Sequence, residues 1–160
     1  MKIGIISDTH GDRYAVDTVL KLFPEAELWF HAGDCTPDAG YLALISGKKV
    51  HSVAGNCDWP NARVPEEMTV DVAGHRIFLT HGHTMGVKYG VDILRDAAKS
   101  AEADIAIYGH THAADIDPGA ILVLNPGSAA RPRDEREPSF MKLTLEEGKE
   151  PKAEIVRFDY

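Results

Sequence analysis

The chain has 160 residues, a length that suits one ordinary domain with a substantial core. Hydrophobic residues make up 44% and charged residues 26%, the balance of a soluble globular protein, and no run of about 18 apolar residues is present to span a membrane. Seventeen Lys and Arg against 25 Asp and Glu leave a charge of −8, which argues against stable nucleic-acid binding by phosphate neutralisation but leaves a small phosphorylated substrate open, since bound cations would reverse the local field.

In chain order, Ile3 to Ile6 reads as a short buried strand that ends at Ser7-Asp8. It reaches those polar residues too soon for a signal-peptide core, so a cytoplasmic location is the default expectation. Asp12 is placed to cap a helix that Pro24 closes, and Leu28 to Phe30 forms a second strand ending at Gly33-Asp34. A helix starting at Pro37 and running to Ser46-Gly47 leads into a third strand, Lys49 to Val53, which ends at Gly55-Asn56. This alternation argues for a parallel sheet flanked by helices, whose ligands collect beyond the carboxyl ends of the strands. Asp8, His10, Asp34 and Asn56 all fall there.

The second half reads differently. Met68 to Val72 and Arg76 to Thr80 form a hairpin about Ala73-Gly74, and a helix from Gly90 to Ala101 turns Ile93, Leu94, Ala97 and Ala98 inward. Strands at Asp104 to Tyr108 and Ile121 to Leu124 end at Gly109-His110 and Asn125-Pro126-Gly127-Ser128. A charged loop from Ala130 to Pro138 precedes a final hairpin of Phe140 to Leu145 and Ala153 to Phe158. No repeat or linker divides the chain, so residues 1–160 are expected to form a single domain, with hairpin edges as possible surfaces for a homo-oligomer.

The histidines carry the chemical signal. His81-Gly82-His83 and His110-Thr111-His112 each follow a predicted strand directly, and buried imidazoles are costly without partners. Imidazole nitrogen with carboxylate and amide oxygen is the donor set of Mn, Fe, Zn or Ni. Asp8, Asp34, Asn56, His10, His81, His110 and His112 are too many donors for one ion and about right for two sharing a carboxylate. Cys35 and Cys57 belong to no CxxC pair and are expected as free, at least partly buried thiols. His51 and His75 read as structural or solvated. Arg131 and Arg133, among Asp134, Glu135, Arg136 and Glu137, read as a solvated charge run.

Asp8-Thr9-His10, Gly33-Asp34, Gly55-Asn56-Cys57-Asp58, His81-Gly82-His83 and Gly109-His110-Thr111-His112 occur in the order found in the calcineurin-like metallophosphoesterases, and the chain resembles the small bacterial and archaeal members of that family. The resemblance implies an α/β fold, a four-layer α-β-β-α sandwich of two mixed sheets. It implies that Asp8, His10 and His112 hold one divalent transition metal, that Asn56, His81 and His110 hold another, and that Asp34 bridges them. Manganese is the first expectation, with nickel, iron or zinc as alternatives.

The implied activity is phosphodiester hydrolysis by a hydroxide bridging the two metals, with Asn56 and His83 as catalytic residues. Asn56 would hold phosphoryl oxygens; His83 would face the substrate phosphate or support His81. His31 would orient the bridging carboxylate or simply end its strand. Wider relatives carry a histidine after Gly-Asn as proton donor, where this chain, like the small members, has Cys57. The loop from Asp58 to Glu67 would shape the pocket. Two alternatives stay open: a catalytically weak protein-interaction scaffold on the same fold, and a metal-dependent hydrolase of a non-phosphate bond.

Overall fold

A computed structural model describes residues 1–61 and 63–159; Ala62 of the Asp58–Glu67 loop and Tyr160 lie outside the described residues. The elements run β1 (Lys2–Ile6), α1 (Arg13–Leu22), β2 (Leu28–His31), α2 (Thr36–Ser46), β3 (Lys49–Ser52), β4 (Glu67–Val72), β5 (His75–Thr80), α3 (Asp92–Ser100), β6 (Ile105–Ile107), β7 (Ala114–Asp117), β8 (Leu122–Pro126), β9 (Ser139–Thr144) and β10 (Lys152–Arg157). They form two mixed five-stranded sheets, ordered β10-β9-β1-β2-β3 and β4-β5-β6-β8-β7. The fold is the expected α/β sandwich.

Strand alternation builds its layers. Ile3, Ile5, Phe30, Met141 and Leu143 of the first sheet meet Ile77, Leu79, Ile105, Ile107 and Leu124 of the second in one apolar cluster between the sheets. The opposite face of the first sheet turns Ile6, Trp29 and Phe140 onto Val16, Val19 and Leu42 of α1 and α2. Phe78, Ala106 and Val123 pack on Leu94 and Ala98 of α3 beyond the second sheet. Asp12 caps α1 through a 3.0 Å bond from the Ala15 amide, and Gly47, left-handed at φ 66°, ends α2.

Three details differ from the sequence reading. Ile93, expected on the inner face of α3, is 60% exposed, because that short helix starts at Asp92 and points Leu94 and Ala98 at the sheet. Strand β7, which periodicity did not reveal, pairs antiparallel with β8 at the sheet edge. It reads Ala-Asp-Ile-Asp and is mostly half-buried, so it presents no apolar run. Cys57 is exposed rather than partly buried, while Cys35 is half-buried, and both thiols are free.

Candidate metal centre

Register brings the expected residues to one rim. β1 and β2 run parallel with Ile6 opposite His31, which lets the Asp8 amide donate to the Gly33 carbonyl at 3.0 Å and the His10 amide to the Asp34 carbonyl at 3.3 Å. β5 and β6 run parallel with Leu79 opposite Ile107, and the Gly109 amide donates to the His81 carbonyl at 3.1 Å. Each residue therefore lies just past the carboxyl end of a parallel strand, and the two sheets deliver them to a common rim.

Of nine described non-glycine residues with positive φ, five are Asp8, His10, Asp34, His110 and His112, at 47° to 71°. Left-handed backbone costs roughly 1–2 kcal/mol per non-glycine residue, so its concentration here marks a place where side-chain direction outweighs local strain.

Two donor groups result. Asp8, His10, Asp34 and His112 offer ligand atoms that all lie within 4.8 Å of one another. His112 Nε2 is 3.1 Å from Asp8 Oδ1, and His10 Nε2 is 3.3 Å from His112 Nε2. Beside this group, His81 Nε2 is 3.1 Å from Asn56 Oδ1 and 3.4 Å from Asp34 Oδ2. Asp34 Oδ2 faces both groups, being also 3.7 Å from His10 Nε2. The His110 ring stands edge-on to His81 with centroids 5.1 Å apart. Donors about 2.1 Å from one cation lie about 3–4 Å apart, so these spacings suit metal ions.

The protonation pattern argues the same way. His81 Nδ1 is 2.7 Å from the Ala32 carbonyl and His112 Nδ1 is 2.6 Å from the Arg131 carbonyl. A carbonyl only accepts, so each Nδ1 carries a hydrogen and each Nε2 is turned toward a carboxylate. Asp8 Oδ1, fully buried, accepts no hydrogen bond among the described residues. Imidazole nitrogens turned onto buried carboxylates suit a cation held between them.

Burial tends to raise the Asp34 carboxyl, but His81 and the Cys57 amide outweigh it and hold it well below the usual carboxylate range. Burial opposes ionisation of Asp8 as well, and His112, His81 and Ser7 reverse that, keeping it ionised. On His81, burial disfavours charge, yet Asp34 and Asp8 push its pKa up. Burial, reinforced by His81 and Lys88, takes His110 down to about 4. His10 is lowered by burial against the pull of Asp34 and Asp8, with His112 and Arg131 adding to the decrease. Ionised carboxylates and the lowered imidazoles of His10 and His110 are ready to bind metal, and a metal ion would displace any proton that His81 carries.

Other side chains brace this frame, and sequence reading assigned no role to Asp58, Ser7, Ser128 or Asp38 among them. Asp58 accepts from the Asp34 and Gly55 amides at 2.9 and 3.0 Å and from the Thr36 amide at 3.0 Å, tying the second and third strand-end loops together. Ser7 Oγ donates to Asp8 Oδ2 at 2.6 Å, Ser128 Oγ donates to the Asp8 carbonyl at 2.8 Å, and Asp38 accepts from the Gly11 amide at 2.8 Å. His31 is fully buried; its Nδ1 accepts from the Gly33 amide at 3.2 Å and its Nε2 lies 3.0 Å from Thr9 Oγ1. It thus braces backbone at the strand end and makes no bond to the Asp34 carboxylate. Burial lowers its pKa to about 4, so it is neutral. His51 stacks on Phe30 and His75 pairs with Asp104 at 2.6 Å, both away from the centre. Arg131 has an exposed side chain, as expected of a solvated run, but its carbonyl fixes the His112 tautomer.

Gly55 leaves no room for a side chain: a Cβ there would collide with Asp34 Oδ1 and come within 2.8 Å of the Asp34 amide nitrogen. Gly55→Ala is expected to displace that carboxylate while the sheets persist. Activity with added metal should fall at least about 100-fold, the cost of a misplacement near 1 Å. Circular dichroism should show the fold retained; wild-type activity in the variant would contradict the packing.

Residues 1–148 match the family model for the calcineurin-like phosphoesterase superfamily domain, and the chain belongs to that superfamily. It is 33% identical to the probable metallophosphoesterase YsnB of Bacillus subtilis over 160 residues, covering 99% of this chain and 90% of that one. It is 29% identical to the phosphodiesterase MJ0936 of Methanocaldococcus jannaschii over 152 residues, covering 79% of this chain and 83% of that protein. A crystal structure of a predicted phosphoesterase from Streptococcus pneumoniae superimposes with a TM-score of 0.80 at 32% identity, covering 98% of this chain and 88% of that one.

Proposed function

We propose that the chain is a two-metal phosphodiesterase. The observation that carries this reading is the pair of imidazoles, His81 and His112, each locked by a carbonyl so that its Nε2 faces a buried carboxylate. Asp8, His10 and His112 would hold one divalent cation and Asn56, His81 and His110 the other, with Asp34 between them. Manganese suits the nitrogen and oxygen donors, as do nickel, iron and zinc. When bound, the cations lower the pKa of water toward about 7 and neutralise phosphoryl charge.

The chain's own residues position the substrate. Asn56 is exposed at the rim, where its amide meets both His81 and solvent, and it can hold a phosphoryl oxygen. His83 packs against His81 and His110 with ring centroids 5.4 and 6.2 Å away, and its buried Nδ1 has no hydrogen-bond partner among the described residues. It steadies those two rings at the substrate side of the centre.

Purified protein should contain close to two equivalents of divalent metal by elemental analysis. It should hydrolyse bis(4-nitrophenyl) phosphate faster than 4-nitrophenyl acetate and lose at least about 99% of that activity on chelation, since the cations supply the nucleophile. Diester hydrolysis that survives full chelation, or acyl-ester hydrolysis as the sole metal-dependent activity, would overturn the reading.

A further inference from the structure

Beside the metal centre lies a cavity of about 610 Å³, walled by Pro60, Pro65, Glu66, Glu67, Thr80 and Thr84. A volume in this range accepts small organic groups. Thr80 and Thr84 bracket the His81-Gly82-His83 segment, and Glu66 lies 3.7 Å from His83 Nε2. His83 in turn touches His81 and His110, so a group in the cavity is about one side chain away from the centre.

The cavity wall carries two carboxylates, Glu66 and Glu67, both exposed. Cations held by the proposed ligands would favour phosphoryl oxygens, whereas the cavity repels a second anion.

We infer that this cavity receives one alcohol of a phosphodiester and selects a cationic alcohol over a neutral one, and a neutral one over an anionic one. The substrate class is then a zwitterionic diester, with phosphate at the metal centre and an ammonium group toward Glu66 and Glu67. The two prolines supply apolar wall for the methylene or methyl groups that surround such an ammonium. Rejection of anionic alcohols follows from like charge alone and requires no additional contact. The inference rests on the proposed phosphodiesterase activity.

Three 4-nitrophenyl phosphodiesters test it, bearing choline, ethanol and 3-hydroxypropionate as the second alcohol. Their common leaving group holds the chemistry constant, so differences report the second alcohol. The choline ester should exceed the carboxylate ester in kcat/KM by about 30-fold, the product of a few exposed ion-pair attractions and repulsions, and 0.5 M salt should narrow the gap as about a 4 Å Debye length screens the rim. In the double variant Glu66→Gln, Glu67→Gln the ratio should fall below about 3-fold, with the change carried mainly by KM. If that variant loses turnover of the ethyl ester as well, Glu67→Gln alone is compared, and it should remove about half of the discrimination on a logarithmic scale. Equal turnover of all three esters by the wild type, or an undiminished ratio in the variants, overturns the selectivity while leaving the phosphodiesterase reading intact. Failure of the metal-loaded protein to cleave any of the three overturns both.

Discussion

Replacing Asp34 by asparagine should lower metal-dependent diester hydrolysis by about 10³-fold or more yet leave the metal-free protein folded, because the change removes a charge shared by both ions while leaving a hydrogen-bonding group in place. Asp34 Oδ1 accepts from the Cys57 amide at 3.0 Å, and an amide oxygen can take over that bond. The new NH2 would then occupy the Oδ2 position, 3.4 Å from His81 Nε2 and 3.7 Å from His10 Nε2. It can donate to a neutral ring nitrogen there, though it cannot pair with a protonated one as the carboxylate does. Thermal unfolding separates loss of the site from loss of the fold. The metal-free variant should still melt cooperatively, at or somewhat below the wild-type temperature, because the carboxylate that His81 and the Cys57 amide stabilise is gone. Added manganese should raise the wild-type midpoint, since a ligand at about 100 times its Kd contributes about 2.7 kcal/mol. The variant should shift much less. Wild-type activity, or a full manganese-induced shift, would show that Asp34 does not hold the ions.

This prediction depends on residues that were legible from their positions. Asp8, Asp34 and Asn56 each followed a readable apolar strand, and the two His-x-His groups did the same in the second half, so strand-end placement alone gathered them. The supports were not legible in that way. Asp58 and Asp38 act through backbone amides, and an aspartate near a turn is so common that its type carries no signal. The position of Asp58 two residues after Asn56 was the available hint. The left-handed backbone at His10, His110 and His112 was invisible too, because only glycine announces positive φ in a sequence. Strand β7 escaped because its residues pair with β8 through the backbone and bury little side chain. Register was the other missing quantity. Pattern indicates a C-terminal hairpin, but pairing of β9 with β1 is decided by long-range packing of Met141 and Leu143 against the second sheet.

Exchanging Cys57 for histidine should raise hydrolysis of alkyl phosphodiesters by about 100-fold, the lower range of general-acid catalysis, and change nitrophenyl esters by no more than about 3-fold. A departing alkoxide needs a proton as its bond breaks; a nitrophenolate does not. Cys57 is poorly suited to supply one. Burial and the adjacent Asp34 carboxylate push its thiol above the ordinary range, so it keeps its proton at neutral pH but is a weak acid. Its side chain is exposed beside Asn56, with Sγ 3.7 Å from Asn56 Nδ2, so a larger ring can point into solvent at the rim. The contact that matters to the frame, from the Cys57 amide to Asp34 Oδ1, uses backbone and survives the exchange. The measurement is the dependence of log kcat/KM on leaving-group pKa across a series of diesters. The wild type should show a steep negative slope and the variant a shallow one, with the lines meeting at the most acidic phenols. An equally steep slope in both would place the proton source elsewhere, with the side chains around His83 as the next position to probe.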